Sequence, residues 1–181
     1  MIAPNSAALP TYYLKPGEIY LSQDPAIITT VLGSCICVTM YYNHTRFAAI
    51  CHAVMPSFQD ARNRTRDKKN TFQYVDTSLE WMFDQFVKNG IKNNDIEVKL
   101  FGGAEMFTDT TQGRSPIAVG KKNVEMALYT LEKKRLKLKA YNVGGNKGRK
   151  VIFNTLTGEV FAKFVNKTDV AMTFADTREK P

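Results

Sequence analysis

Thr29-Thr30-Val31-Leu32-Gly33-Ser34-Cys35, followed later by Cys51-His52, is the stretch from which the rest of the chain is read. Ile27 to Leu32 is β-branched and apolar, which predicts a buried strand. Gly33-Ser34 breaks it with a tight turn, and Cys35 follows at once. Ile36 to Tyr42 predicts a second strand, Asn43-His44 a turn, and Phe47 to Val54 the strand that returns. Pairing of those two strands brings His52 back beside Cys35. A cysteine at a strand end with a histidine on the adjacent strand is the minimum equipment for thiol catalysis. The imidazole raises the thiolate fraction and later protonates the leaving group. The ordinary packing reading stands against it, because free cysteines and histidines inside apolar runs are often plain core residues.

The 181 residues suffice for one domain that buries most of its apolar surface without staples. Hydrophobic content of 44% and aromatic content of 11% exclude a disordered chain. No apolar run approaches the roughly 20 residues that span a bilayer. Met1 to Pro10 lacks the charged-then-apolar pattern of a secretory signal. Three cysteines, Cys35, Cys37 and Cys51, argue against a disulfide framework and for a reducing compartment, so a soluble cytoplasmic protein is expected. The net charge of +8 is spread over many segments with no nucleic-acid motif, which suits an acidic protein partner.

Residues 1–17 carry Pro4, Pro10 and Pro16 and read as a loosely held arm, with a short strand at Glu18 to Leu21 after it. Ser57 to Thr71 sets Arg62, Arg64, Arg66, Lys68 and Lys69 against Asp60 and Asp67. It reads as a long exposed loop, either a solvated connector or a binding loop placed just after His52. Phe72, Val75, Leu79, Met82 and Phe86 make one apolar stripe and predict a helix from about Phe72 to Lys88. Asn70 with Gln73 is capping-box-like, and Gly90 is its stop. That stripe is core rather than a cofactor box. Ile96 to Phe101 predicts a strand running into Gly102-Gly103, where glycines permit positive φ or a close backbone approach. No P-loop Lys-Ser/Thr and no G-x-G-x-x-G accompany them, which discounts nucleotide binding.

Thr108 to Ser115 reads as a polar turn region. Val119-Gly120 opens a second helix, about Lys121 to Lys134, with Val124, Ala127, Leu128 and Leu131 on one face. Leu136 to Val143 predicts a strand, and Gly144 to Arg149 a glycine-rich basic turn. Lys150 to Asn154 and Val160 to Val165 predict strands joined by a hairpin turn at Thr157-Gly158. The tail from Asn166 to Pro181 is expected to be mobile. Many strands with two helices predict an α+β domain over residues 18–165, sheet packed on sheet with helices on one outer face.

The landmarks together resemble the CheD family of chemoreceptor glutamine deamidases. The matching residues are Thr29 with Leu32-Gly33-Ser34-Cys35, His52 with Met55-Pro56, Tyr74-Val75-Asp76, and Gly102-Gly103-Ala104 with Met106. Val119-Gly120 with Asn123 and Gly144-Gly145 through Gly148-Arg149 complete the set, in family order from about residue 18 to residue 165. The resemblance implies a three-layer sandwich like that of toxin-type cysteine deamidases, with a Cys-His-Thr site. On this sequence it makes Cys35 the nucleophile, His52 the general base and acid, and Thr29 the residue that orients the imidazole. Thr30 is the open alternative, because neighbouring strand residues face opposite ways. Asn142 departs from the acidic residue that family members commonly carry there, which questions a salt bridge to the basic turn but not the catalytic set.

The implied activity is that of a protein-glutamine glutaminase. It converts specific glutamines of chemoreceptors (methyl-accepting chemotaxis proteins) to glutamate through a thioester on Cys35, and glutamyl methyl esters can enter by the same route. Backbone N–H groups around Gly33 to Cys35 are the natural donors to the oxyanion, with Gly33 and Ser34 as the residues of that subsite. No metal or organic cofactor is required. The implied partners are chemoreceptor cytoplasmic helices and a CheC-type phosphatase, with Arg62, Arg64 and Arg66 on a candidate docking loop. Neither nucleic acid nor membrane insertion is implied. The alternative is a mainly non-catalytic adaptor that binds CheC or receptors. A zinc module built from Cys35, Cys37, Cys51 and His52 has the right ligand types but poor spacing, since Cys51 and His52 are adjacent on a strand. Ser34 lacks the Gly-x-Ser-x-Gly elbow and reads as turn chemistry or site lining, Cys37 and Cys51 as core, and His44 as surface.

Overall fold

The computed structural model describes residues 8–57, 68–105 and 118–165. Within them the chain folds as two β-sheets packed face to face, with two helices on the outer face of one. The smaller sheet has the order β1-β3-β8-β9 and is built from β1 (Thr11–Tyr13), β3 (Ile27–Leu32), β8 (Gly148–Asn154) and β9 (Val160–Val165). The larger has the order β2-β5-β4-β6-β7, from β2 (Ile19–Ser22), β4 (Ile36–Tyr42), β5 (Phe47–Ala53), β6 (Glu97–Gly102) and β7 (Leu138–Val143). Helices α1 (Val75–Lys88) and α2 (Val119–Lys133) cover the outer face of the larger sheet. This is the sandwich with helices on one side that the sequence predicts.

Strand alternation divides the core into two layers. On β4 and β5, Ile36, Val38, Met40, Phe47, Ala49, Cys51 and Ala53 face the helices and meet Val75, Leu79, Met82 and Phe86 of α1. The residues between them, Cys37, Tyr41, Ala48 and Ile50, face the other sheet and meet Ile28, Leu32, Val151 and Phe153. Complete burial of a side chain the size of Phe153 contributes about 2–3 kcal/mol. Because both faces of β4 and β5 are covered, these strands read as continuous apolar runs. The unbroken stretch from Ile36 to Tyr42 reflects this.

Several expectations change. The arm expected over residues 1–17 is not loose throughout, because β1 pairs in parallel with β3 and the Leu14 side chain is buried. Helix α1 starts at Val75 rather than at about Phe72, with Tyr74 as its N-cap and no side-chain cap there; Lys68–Gln73 is a 3-10 turn. Tyr74 forms a parallel bridge with Met55, which holds its backbone extended. The first-turn N–H groups of Val75 and Asp76 donate to the carbonyls of Met55 and Pro56, at 2.8 and 3.3 Å. The segment after His52 thus acts as the cap.

On α2, Leu128 points to solvent, and the inward face carries Gly120, Asn123, Ala127, Thr130 and Leu131. Asn142 does bind the basic turn, accepting from Arg149 Nε at 2.7 Å, while the same guanidinium donates to Gly144 O at 2.8 Å. A neutral oxygen therefore stands where a carboxylate would form a salt bridge. The loop bearing Arg62, Arg64 and Arg66, the turn from Thr108 to Ser115 and the tail from Asn166 to Pro181 lie outside the described residues.

Candidate active site

Antiparallel pairing of β4 with β5 sets Cys37 opposite His52, which puts Cys35, one residue before β4, at the same end of the strand pair. His52 is the one ionisable side chain that β5 turns into the layer between the sheets, and it is fully buried. Its backbone is fixed on both sides by β2 and the turn before it: His52 N–H donates to Glu18 O at 3.0 Å, and Gly17 N–H donates to His52 O at 2.8 Å.

The imidazole crosses the sandwich. Its Nδ1 lies 2.8 Å from Thr30 Oγ1 on β3. The Thr30 hydroxyl also lies 2.8 Å from Leu14 O, an atom that can only accept, so its single proton is spent there. The contact with His52 must then run from Nδ1–H to Oγ1. This fixes the tautomer, with the proton on Nδ1 and the basic lone pair on Nε2. Nε2 is buried and has no hydrogen-bond partner among the described residues. An unsatisfied buried nitrogen costs about 1–3 kcal/mol, and a folded chain that retains one calls for a chemical explanation.

Thr30 thereby takes the position expected of Thr29. The hydroxyl of Thr29 is on the opposite face of β3, 3.5 Å from Tyr12 O. The reason is strand parity: Ile28, Thr30 and Leu32 face the intersheet core, so Thr29 cannot.

Cys35 sits in the intersheet core with Cys37 and Phe101, 7% exposed. Burial pushes its thiol up to about 11, partly opposed by the residue's own backbone N–H. Burial pushes His52 the other way, down to about 4, partly opposed by the Leu14 carbonyl. Desolvation penalises whichever form is charged, so at neutral pH the resting pair is thiol and neutral imidazole.

The turn that carries Cys35 is held by its carbonyls. Ala104 N–H donates to Gly33 O at 2.9 Å, Asn123 Nδ2 to Ser34 O at 2.9 Å, and Gly103 N–H to Cys35 O at 2.8 Å. In a trans peptide the N–H points away from the C=O, so these bonds aim the amides of Ser34 and Cys35 in the opposite direction. Neither amide donates to a backbone carbonyl among the described residues. They lie in the turn, Gly33 to Cys35, whose amides were expected to meet the oxyanion.

Glycines make the grip possible. Gly102 has φ +107°, and a Cβ there would lie 2.3 Å from Cys35 O. A Cβ on Gly120 would lie 2.6 Å from Gly103 O, so the first turn of α2 rests directly on the Gly103–Ala104 backbone. The role of Asn123 was not legible beforehand. Its signal was an amide side chain on the inward face of α2, at a position that is also a landmark of the family resemblance.

The remaining residues sort by face. Cys51 packs against the helices, whereas Cys35 and Cys37 are in the intersheet layer, so the four zinc-type residues do not converge on one point. His44 is exposed beside Tyr42. A cleft of about 700 Å³ lies near the Gly144-Gly145 turn, but Gly103, Glu105, Lys121 and Glu125 line it and neither Cys35 nor His52 does. No cysteine or histidine is among the described residues that line it. No described helix is long and apolar enough to cross a membrane.

A family model described as CheD chemotactic sensory transduction matches residues 55–164. A "Probable chemoreceptor glutamine deamidase CheD 2" of Geobacter sulfurreducens is 44% identical over 161 residues, 89% of this chain and 94% of that protein. Proteins named "Probable chemoreceptor glutamine deamidase CheD" from Maridesulfovibrio salexigens and Thermococcus kodakarensis are 35% and 37% identical. They cover 90% and 85% of this chain, and 96% and 92% of their own length. With this coverage and identity, the chain belongs to the CheD family.

Proposed function

We propose that this chain is a cysteine hydrolase that deamidates glutamine side chains of chemoreceptors, working in the cytoplasm on their signalling helices. One observation carries the reading: His52 Nε2 is basic, buried and unpartnered in the layer that holds Cys35, with its tautomer set by Thr30 and Leu14. The names of the relatives supply the substrate class.

The steps follow from the atoms. Cys35 Sγ adds to the glutamine side-chain carbonyl as Nε2 takes the thiol proton. The amides of Ser34 and Cys35 hold the resulting oxyanion. The C–N bond breaks as the imidazolium returns its proton to departing ammonia, leaving a γ-glutamyl thioester. Nε2 then deprotonates a water, which adds to the thioester. The C–S bond breaks, Sγ regains a proton, and glutamate leaves. A glutamyl methyl ester enters by the same addition, with methanol leaving.

The thiol and imidazole both rest neutral, so thiolate forms only as the substrate carbonyl engages the turn. Arg62, Arg64 and Arg66 dock on glutamate-rich receptor helices or on an acidic helix of a partner such as a CheC-type phosphatase. The test is an acid-quenched reaction of the protein with a receptor cytoplasmic fragment. A hydroxylamine-sensitive adduct on the Cys35 peptide is expected, together with ammonia release. Ammonia release without any adduct on Cys35 would contradict the covalent route.

A further inference from the structure

Asn123 is fully buried on α2 and uses both of its N–H groups, one to Ser34 O and one to Val54 O, each at 2.9 Å. Both acceptors are backbone carbonyls, so the nitrogen must face them. Its own Oδ1 is buried without a partner among the described residues. The side chain is held for its donors and not for its acceptor. Ser34 precedes Cys35, and Val54 is two residues beyond His52. One amide group therefore joins the chain on either side of the reacting pair.

The bond to Ser34 O does more than tie two strands. Ser34 O and the Cys35 N–H belong to the same peptide unit. Drawing electron density toward the carbonyl makes the opposite N–H a stronger donor. That N–H donates to no backbone carbonyl among the described residues. Gly120 is what lets the helix come close enough, since any side chain there would collide with Gly103 O and Ala104 O at 2.6 and 2.8 Å.

We propose that Asn123 is a positioning residue for deamidation: its amide fixes and polarises the Ser34–Cys35 peptide, so that the Cys35 N–H meets the thiolate and the oxyanion, and it sets that turn against the strand end bearing His52. This rests on the deamidase reading above.

The test compares wild type, Asn123→Ala and Asn123→Ser, the last having one hydroxyl that reaches at most one carbonyl. Two quantities are read at matched folded fraction: glutamine deamidation of a receptor cytoplasmic fragment, and the pH dependence of Cys35 alkylation by iodoacetamide, mapped by peptide mass. For Asn123→Ala, kcat falls about 100-fold with KM within about threefold, as for loss of a transition-state donor. The alkylation midpoint moves to higher pH, and Asn123→Ser falls between. A purely structural role would instead speed alkylation at every pH without moving the midpoint, and that result, or a kcat within threefold of wild type, overturns the assignment.

If wild type itself deamidates nothing, the functional reading fails while the alkylation profile still decides on Asn123. If neither variant folds, the wild-type chain decides: the Asn123 side-chain N–H protons must exchange far more slowly than those of free asparagine, and exchange at the free rate overturns the clamp.

Discussion

Cys51 and His52 are neighbours in sequence, equally buried, and on the same strand, yet they do different work. Cys51 faces the helices, among apolar side chains that satisfy everything a thiol needs. His52 faces the opposite sheet, where Thr30 and Leu14 fix one nitrogen and leave the other without a partner. The two layers share β4 and β5 and differ by a single step of strand alternation. Complete burial is therefore no guide to function here. What separates the two faces of β5 is the polar group each carries: the apolar face holds Cys51 among side chains that ask nothing of it, and the face with the unpartnered His52 nitrogen also holds Cys35.

The largest effect comes from breaking the reactive layer and leaving the packed one alone. His52→Gln lowers kcat for receptor deamidation by about 10³-fold, the scale of a lost acid-base group. Cys51→Ala, one residue earlier, leaves kcat within about twofold and costs on the order of 1 kcal/mol of stability. Steady-state kinetics and urea unfolding of both variants check this.

Gly102→Ala tests the backbone beneath the reactive layer. The new Cβ meets Cys35 O at 2.3 Å with φ at +107°, so about 3 kcal/mol of stability is lost through strain and clash. A urea midpoint unchanged by this substitution would show that the turn tolerates displacement.

Stability against pH sharpens the comparison further. His52 is depressed from 6.5 to about 4 by burial, so between those values the unfolded chain binds a proton that the folded chain does not. Stability then falls as pH drops through this window, by up to about 3 kcal/mol from His52 alone, and the penalty is absent above pH 6.5. Urea titrations from pH 7 to pH 4 show the slope in wild type, and His52→Gln removes that share of it.

The smallest effect separates two adjacent threonines. Thr30→Val removes the acceptor of His52 Nδ1–H and lowers kcat about tenfold, the worth of one hydrogen bond in orienting the ring. Thr29→Val leaves kcat unchanged. Equal effects, or the reverse order, would contradict the placement of the imidazole.

Much of this was legible in the sequence because it depends on local pattern. The strand from Ile27 to Leu32, the hairpin that brings His52 back and the stripe of α1 all follow from period and turn chemistry. What was not legible depends on registers between distant segments. Alternation says that Thr29 and Thr30 face opposite ways but not which of them faces the histidine, since that is set by packing of β3 on the other sheet. The helix expected from about Phe72 starts at Val75 because a tertiary bridge between Met55 and Tyr74 holds the chain extended just before it. Asn123 stood among the landmarks of the resemblance, but its role was hidden for the same reason: its acceptors, Ser34 and Val54, are 89 and 69 residues away.

The central claim is that Cys35 and His52 form a working pair, and the most direct measurement is the mass of a chemoreceptor cytoplasmic fragment, intact and by peptide, after incubation with wild type and with Cys35→Ala. The expected result is a glutamine-to-glutamate mass change with wild type and none with Cys35→Ala. The same change with both proteins would remove Cys35 from the chemistry, and no change with either, across several receptors, would favour an adaptor that binds without reacting.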